Sequence, residues 1–150
     1  MYSKIFVAID NSSTAKKALD EAIALGGALR ASICVAFVAD ESGLMQHGMG
    51  LGSYIDVEKV KAEIQAAGNS MLDEAVARAT AAGCKSERLL IESANRRVAE
   101  AIADAAKGWG ADLLVIGAHG VRGFERLLVG SVAENLTRIS LVSLLIVRQP

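Results

Sequence analysis

Aromatic side chains are scarce in this chain, at 4% of 150 residues, although apolar residues make up 52%. A core of this composition has to be packed from Ala, Val, Ile and Leu. The length suits one domain, residues 1–150, with room for a substantial interior. Net charge is equally scarce. The formal value of −1, with no run of like charges, gives no electrostatic reason to expect nucleic acid or an anionic membrane as partner. No apolar stretch approaches the ~20 residues of a spanning helix. The opening MYSKIFVAID has too short an apolar run for a secretory signal. A soluble cytoplasmic protein is expected. Cysteine is limited to Cys34 and Cys84, without CxxC spacing and with no histidine nearby in sequence. Reduced, buried thiols fit this better than a disulfide or a metal site.

What the chain does have is aliphatic runs separated by helical patterns. KIFVAID (Lys4–Asp10) reads as a buried strand, and the Asn11-Ser12-Ser13 that follows offers N-cap oxygens. Ala15, Ala18, Leu19, Ala22, Ile23, Gly26 and Leu29 then predict an amphipathic helix over about Ser13–Arg30. Ser32–Asp40 is a second strand. Residues 41–56 hold four glycines and no period, which predicts a loop. A helix over about Val57–Ala82 places Val60, Ile64, Ala67, Met71, Ala75 and Ala79 on one face, with Gly83 at its C′ position. SERLLIE is the third strand. Asn95–Trp109 is the third helix, with Val98, Ala101, Ile102, Ala105 and Trp109 inward. Asp112–Gly117 is the fourth strand, Ser131–Ser140 a short helix and Val142–Arg148 the fifth strand. Near-continuous apolar strands alternating with helices specify an α/β fold with a parallel sheet covered on both faces. Ligands of such sheets bind beyond the carboxyl ends of the strands, where strand order reverses. Asp10, Val38–Asp40 and Gly117 stand at such ends.

Between the fourth strand and the last helix lies GAHGVRGFERLLVGS, with four glycines in fifteen residues. It lacks the Gly-Lys-Ser/Thr ending of a Walker loop, and Gly117, Gly120 and Gly123 recur every third residue, unlike G-x-G-x-x-G. Ser131 and Glu134 have capping-box spacing, which predicts a helix start at Gly130–Ser131. That start carries unpaired amides and partial positive charge. Gly130 lets an anion approach closely, and Arg122 and Arg126 stand nearby in sequence. From the residues alone two readings remain open: turn-forming glycines with a structural cap, or a phosphate cradle.

Gly117-x-x-Gly120, nine residues, then Gly130-Ser131 is similar to the G-2x-G-9x-G-[S/T] signature of the nucleotide-binding universal stress proteins. IFVAIDNSSTAKKAL resembles that family's first strand, acidic residue and first helix, and GADLLVIGAHG and LLVGSVAENLTR resemble its closing region. The resemblance implies an open five-stranded sheet of order 3-2-1-4-5, with helices on both faces in Rossmann-like fashion, and an ATP site. AMP and ADP are the alternatives, and Mg²⁺ is left open. In the family the acid ending strand 1 contacts the adenosine part, and Asp10 matches it. Val38 matches the small apolar residue of the adenine pocket. Ile116 and Gly117 match the positions flanking the nucleotide, and Gly120, Gly130, Ser131 and Val132 match the phosphate-binding positions. His119 and Arg122 lie within the segment and are counted with these. So is Ala8, which stands where the family commonly has proline. Arg96-Arg97-Val98 replaces the frequent Gly-Asp-Pro, and Leu141 replaces a proline before the last strand.

Asp10 has a second reading, as a helper in capping the first helix. His47, between Met45 and Met49, lacks the rigid set of ligands that a soft metal needs. The methionines there read as an apolar lid or a surface for an unidentified protein partner. SLVSLLIVRQP has no lysine or internal proline to blunt an edge strand. In the order the resemblance implies, it lies at the sheet edge. A homodimer through Val142–Arg148 is therefore expected. No carboxylate pair is evidently placed to hold Mg²⁺ and activate water, so no catalytic residue is assigned. The expected function is an ATP-binding, dimeric stress-response module. A slow ATP hydrolase or nucleotidyl-transferring enzyme, and a dimer with a vestigial motif, are the alternatives.

Overall fold

The computed structural model describes residues 1–41, 56–119 and 129–149. Strands and helices alternate as β1 (Lys4–Ile9), α1 (Ser13–Leu29), β2 (Ser32–Ala39), α2 (Val57–Ala81), β3 (Ser86–Glu92), α3 (Val98–Trp109), β4 (Leu113–Gly117), α4 (Ser131–Ile139) and β5 (Ser143–Val147). The five strands form one parallel sheet of order β3-β2-β1-β4-β5, as expected. In the centre, Ile5 pairs with Ile33 on one side and with Leu113 on the other. The chain moves outward from β1 in both directions, so strand order reverses between β1 and β4. The crevice beyond their carboxyl ends is the switch point of the sheet.

Period-two alternation divides the core into two layers. Ile5, Val7, Ile33, Val35, Leu113 and Val115 point toward α1 and α2. Phe6, Ala8, Cys34, Ala36, Leu114 and Ile116 point the other way, toward α3 and α4. Small alanines on the helices allow close approach to these aliphatic strands, which is how a core with so few rings is filled.

Several expectations are corrected in detail. The face of α2 is turned by one residue: Gly68, Leu72, Ala75 and Ala79 are buried, whereas Ala67 is exposed and Val60, Ile64 and Met71 are half-buried. The cause is the close seating of Gly68 on Phe37, where any Cβ would overlap the ring. This contact brings Leu72 fully into the core, a burial worth about 1.5–3 kcal/mol. Helix α3 begins at Val98 rather than Asn95, because Ala94 and Asn95 adopt left-handed backbone angles, φ 49° and 66°. Trp109 packs at the rim of the second layer instead of inside it. Its ring centroid is 6.2 Å from that of Phe6, and its indole N–H donates to the Glu87 carboxylate. The predicted C′ glycine is confirmed. Gly83 has φ 85°, its N–H donates to the Thr80 carbonyl at 2.9 Å, and the Cys84 N–H donates to the Ala79 carbonyl at 3.0 Å. These two bonds make a Schellman motif.

The two sheet edges differ in chemistry. On β3, Glu87 meets Trp109, and Arg88 pairs with Asp73 and hydrogen-bonds Asn69. On β5, Leu144, Leu145 and Ile146 are aliphatic and half-buried. Leu141, just before β5, is 83% exposed. Val142 and Arg148 fall outside the strand itself.

Candidate functional site

The switch point is built by three short backbone segments, each following from its local sequence. After β1 the chain turns at Asp10. Its Oδ1 accepts the Ser12 N–H at 2.8 Å, an Asx turn that holds the half-buried carboxylate at the strand end. Helix α1 is capped by Ser12, whose Oγ accepts the Ala15 N–H at 3.1 Å. The side-chain cap of α1 is thus Ser12, and Asp10 Oδ2 faces no hydrogen-bond donor among the described residues.

After β4 the chain is pinned on three sides. The Ala118 N–H donates to the Val147 carbonyl at 2.8 Å, continuing the ladder to β5. The Ala118 carbonyl accepts the Gly130 N–H at 2.7 Å. The His119 carbonyl accepts the hydroxyl of Thr14 at 2.5 Å and that of Ser12 at 3.3 Å. Gly117 owes its identity to this packing. A Cβ there would lie 2.7 Å from Thr14 Oγ1 and 2.8 Å from the Thr14 carbonyl carbon. Thr14 is itself buried, at 5% exposure, so its hydroxyl needs the partner that it finds.

The third segment is the start of α4, and here the expected capping box is not formed. The N-cap is Gly130, with φ −63° and ψ 162° and no side-chain cap. Ser131 is the first helical residue and is exposed, so its hydroxyl is not the cap. The Glu134 carboxylate instead pairs with Arg138 one turn on, at 2.6 Å. The bond from Gly130 to Ala118 places the cap one residue earlier than the Ser131–Glu134 spacing suggests. Among the described residues no side chain accepts from the first-turn amides after Gly130, which point out of the helix start.

Apolar candidates lie on the same layer as α4. Ala8 and Ile116 are buried in it, and Val38 and Val132 pack partly against it. Ala8 and Ile116 are also direct partners across the β1–β4 pair. Asp10, Ala8, Val38, Ile116, Gly117, His119, Gly130, Ser131 and Val132 thus all belong to the carboxyl end of the sheet or the start of α4. Gly120 and Arg122 lie outside the described residues, as do Gly123, Arg126 and the Met45–His47–Met49 stretch. The sequence reading missed the joint role of Ser12 and Thr14. Their hydroxyls, two residues apart after an acidic strand end, were the available signal.

Two other features do not belong to this site. A groove of about 180 Å³ lies between α1 and α2, lined by Asp10, Lys16, Leu19, Met71, Glu74 and Arg78 among others. It shares Asp10 with the switch point but opens on the opposite layer from Val38 and Val132. The thiol of Cys34 is pushed up to about 12, first by burial and then by the Glu87 carboxylate, with Lys4 opposing. It has no nucleophilic chemistry to offer at neutral pH.

The family model described as the universal stress protein family matches residues 1–148. Universal stress protein YxiE of Bacillus subtilis is 29% identical over 151 residues, covering 99% of this chain and all of that protein. The crystal structure of a universal stress protein family member from Burkholderia pseudomallei is 32% identical, covers 99% of this chain and 97% of its own, and superposes with a TM-score of 0.79. The crystal structure of a universal stress protein in complex with cAMP is 29% identical, covers 99% of both chains, and has a TM-score of 0.70.

Proposed function

This chain belongs to the universal stress protein family, and from that premise we propose that it is an adenine-nucleotide-binding regulatory module, with ATP as its ligand. The observation that carries the reading is the start of α4. A glycine N-cap, for which no described side chain supplies an acceptor, stands at the switch point of the sheet, hydrogen-bonded to the residue that follows β4. Such a terminus combines converging amides with a positive dipole end and suits phosphate. The cap angles of Gly130 are open to any residue, so its lack of a Cβ serves close approach by a ligand rather than backbone freedom.

The other groups fit the rest of a nucleotide. Ala8, Val38 and Ile116 offer aliphatic contact for a base, and Asp10 Oδ2 accepts from a ribose hydroxyl. Gly130, Ser131 and Val132 present amides to the phosphates, joined by Gly117, His119, Gly120 and Arg122 from the glycine segment. The solved relative in complex with cAMP supports the adenine class. In this reading the chain binds and does not turn over its ligand. The aliphatic, half-buried edge of β5, with Leu141 beside it, supports a homodimer in which two β5 strands pair. Among the described residues no helix is long and apolar enough to cross a membrane, and the proposed setting is the cytoplasm, with a further protein partner reading the nucleotide state.

Calorimetric titration with ATP, and with AMP, tests this. Saturable binding that is lost in Gly130→Val is expected. Binding that Gly130→Val leaves unchanged would refute the phosphate assignment.

A further inference from the structure

We propose that Thr14 is a positioning residue for the nucleotide site: its hydroxyl, bonded to the His119 carbonyl, holds the glycine segment's entry in register with the start of α4. The proposal rests on the nucleotide reading above and adds to it a residue that contributes no atom to the ligand.

The two ends of the segment are held differently. Both converge on Ala118 and His119. The exit end is tied by a main-chain bond, Gly130 N–H to the Ala118 carbonyl at 2.7 Å. Ala118 is tied in turn to β5 through Val147 at 2.8 Å. The entry end, at His119, is tied among the described residues by side chains, the hydroxyls of Thr14 at 2.5 Å and Ser12 at 3.3 Å. Ser12 already accepts the Ala15 N–H at 3.1 Å as the cap of α1, and its bond to His119 is the longer of the two. Thr14 is the principal tie.

This tie also closes a path across the site. Asp10 accepts from Ser12, Ser12 and Thr14 donate to His119, and the neighbouring Ala118 accepts from Gly130. The acid that faces the ribose and the cap that faces the phosphates are therefore fixed relative to each other through α1's first turn. The geometry tolerates little substitution. Gly117 leaves no space beside Thr14, since a Cβ there would come within 2.7 Å of Thr14 Oγ1. A methyl group in place of that hydroxyl cannot stay 2.5 Å from a carbonyl oxygen, so Thr14→Val must push His119 away and leave its carbonyl only the longer bond from Ser12. Thr14→Ser keeps the donor, and Thr14→Ala removes it without the added methyl. A preorganised site loses affinity when its supporting bonds go, even where no ligand contact is touched.

The experiment is titration of the full chain with ATP and with AMP, alongside hydrogen exchange at the Gly130 amide in ligand-free protein. Thr14→Val and Thr14→Ala are expected to bind about tenfold more weakly, the scale of one lost hydrogen bond in a half-buried site. They are also expected to exchange the Gly130 amide faster, while Thr14→Ser keeps both properties within about twofold of wild type. If Thr14→Val does not fold, Thr14→Ala against Thr14→Ser carries the same comparison. Wild-type affinity and exchange in Thr14→Ala would overturn the positioning role and leave the nucleotide reading standing. Equal weakening in Thr14→Ser and Thr14→Ala would overturn it too, because shape rather than the hydroxyl would then be at work. If the wild-type chain binds neither ATP nor AMP, the nucleotide reading fails and the positioning role falls with it.

Discussion

The Lys4 ammonium lies 4.2 Å from the centroid of the Trp109 ring and donates to the Trp109 carbonyl at 2.5 Å. This pair closes the end of the sheet opposite the candidate site, joining the first residue of β1 to the last turn of α3. Beside it, Asp112 accepts the N–H groups of Ser3 and Lys4 and the Ser3 hydroxyl, at 2.8–2.9 Å. The amino end of the sheet is thus stitched by Lys4, Trp109 and Asp112, away from the amides at the start of α4.

Asp112 gives the fold an acid-sensitive component. Burial alone would raise its carboxyl, but the hydrogen bonds from Ser3 and Lys4 outweigh that and hold it below the usual aspartate range. A carboxyl lowered in the folded state contributes stability above its unfolded pKa and loses it as pH falls through the folded value. Urea midpoints measured from pH 7 down to pH 3 should therefore decline less steeply in Asp112→Asn than in wild type. Parallel declines would mean that these bonds do not favour the ionised form.

Ala94 predicts a stabilising change. It holds φ 49° without being glycine. Left-handed angles cost an L-residue roughly 1–2 kcal/mol, and glycine gives back about 0.5–1 kcal/mol through its larger unfolded-state entropy. Ala94→Gly should raise stability by about 0.5–1 kcal/mol in urea unfolding. A lowered midpoint would contradict the strain assigned to this turn.

The two thiols should be silent in the native protein. Cys34 and Cys84 are both buried, and they belong to opposite layers of the core, so no disulfide can join them without unfolding. A thiol reagent at neutral pH should titrate neither rapidly in buffer and both in urea. Fast labelling of Cys34 in buffer would contradict its raised pKa.

Leu141 tests the proposed dimer. It is 83% exposed beside the aliphatic edge of β5. Leu141→Lys should weaken self-association about tenfold in sedimentation experiments, with little change in the monomer's thermal midpoint. An unchanged association constant would move the interface elsewhere on the molecule.

Much of this architecture was legible from local pattern. Runs such as IFVAI and LLVIG are too apolar and too short for anything but buried parallel strands, and their alternation with helical spacing left few topologies. The limits of the reading follow from interactions that local pattern does not encode. Local pattern places Val60, Ile64 and Ala67 on the inner face of α2, because a glycine at 68 carries no hydrophobic signal. Only the ring of Phe37, on another strand, shows why it is buried. The Ser131–Glu134 spacing looked like a capping box, but the cap was decided by Gly130 bonding to Ala118 across the segment. Asp10 and Gly130 could be picked out as strand and helix ends. The bond from Thr14 to His119 spans 105 residues of sequence and could not.

The central claim is that the open amides at the start of α4 bind the phosphates of an adenine nucleotide. Its most direct measurement is calorimetric titration of ATP into wild type and Gly130→Val, with the fold of each verified by circular dichroism. The account predicts saturable binding to wild type and at least a tenfold loss in the variant, about 1.4 kcal/mol or more, with the fold intact. Equal affinity in the two proteins would contradict it.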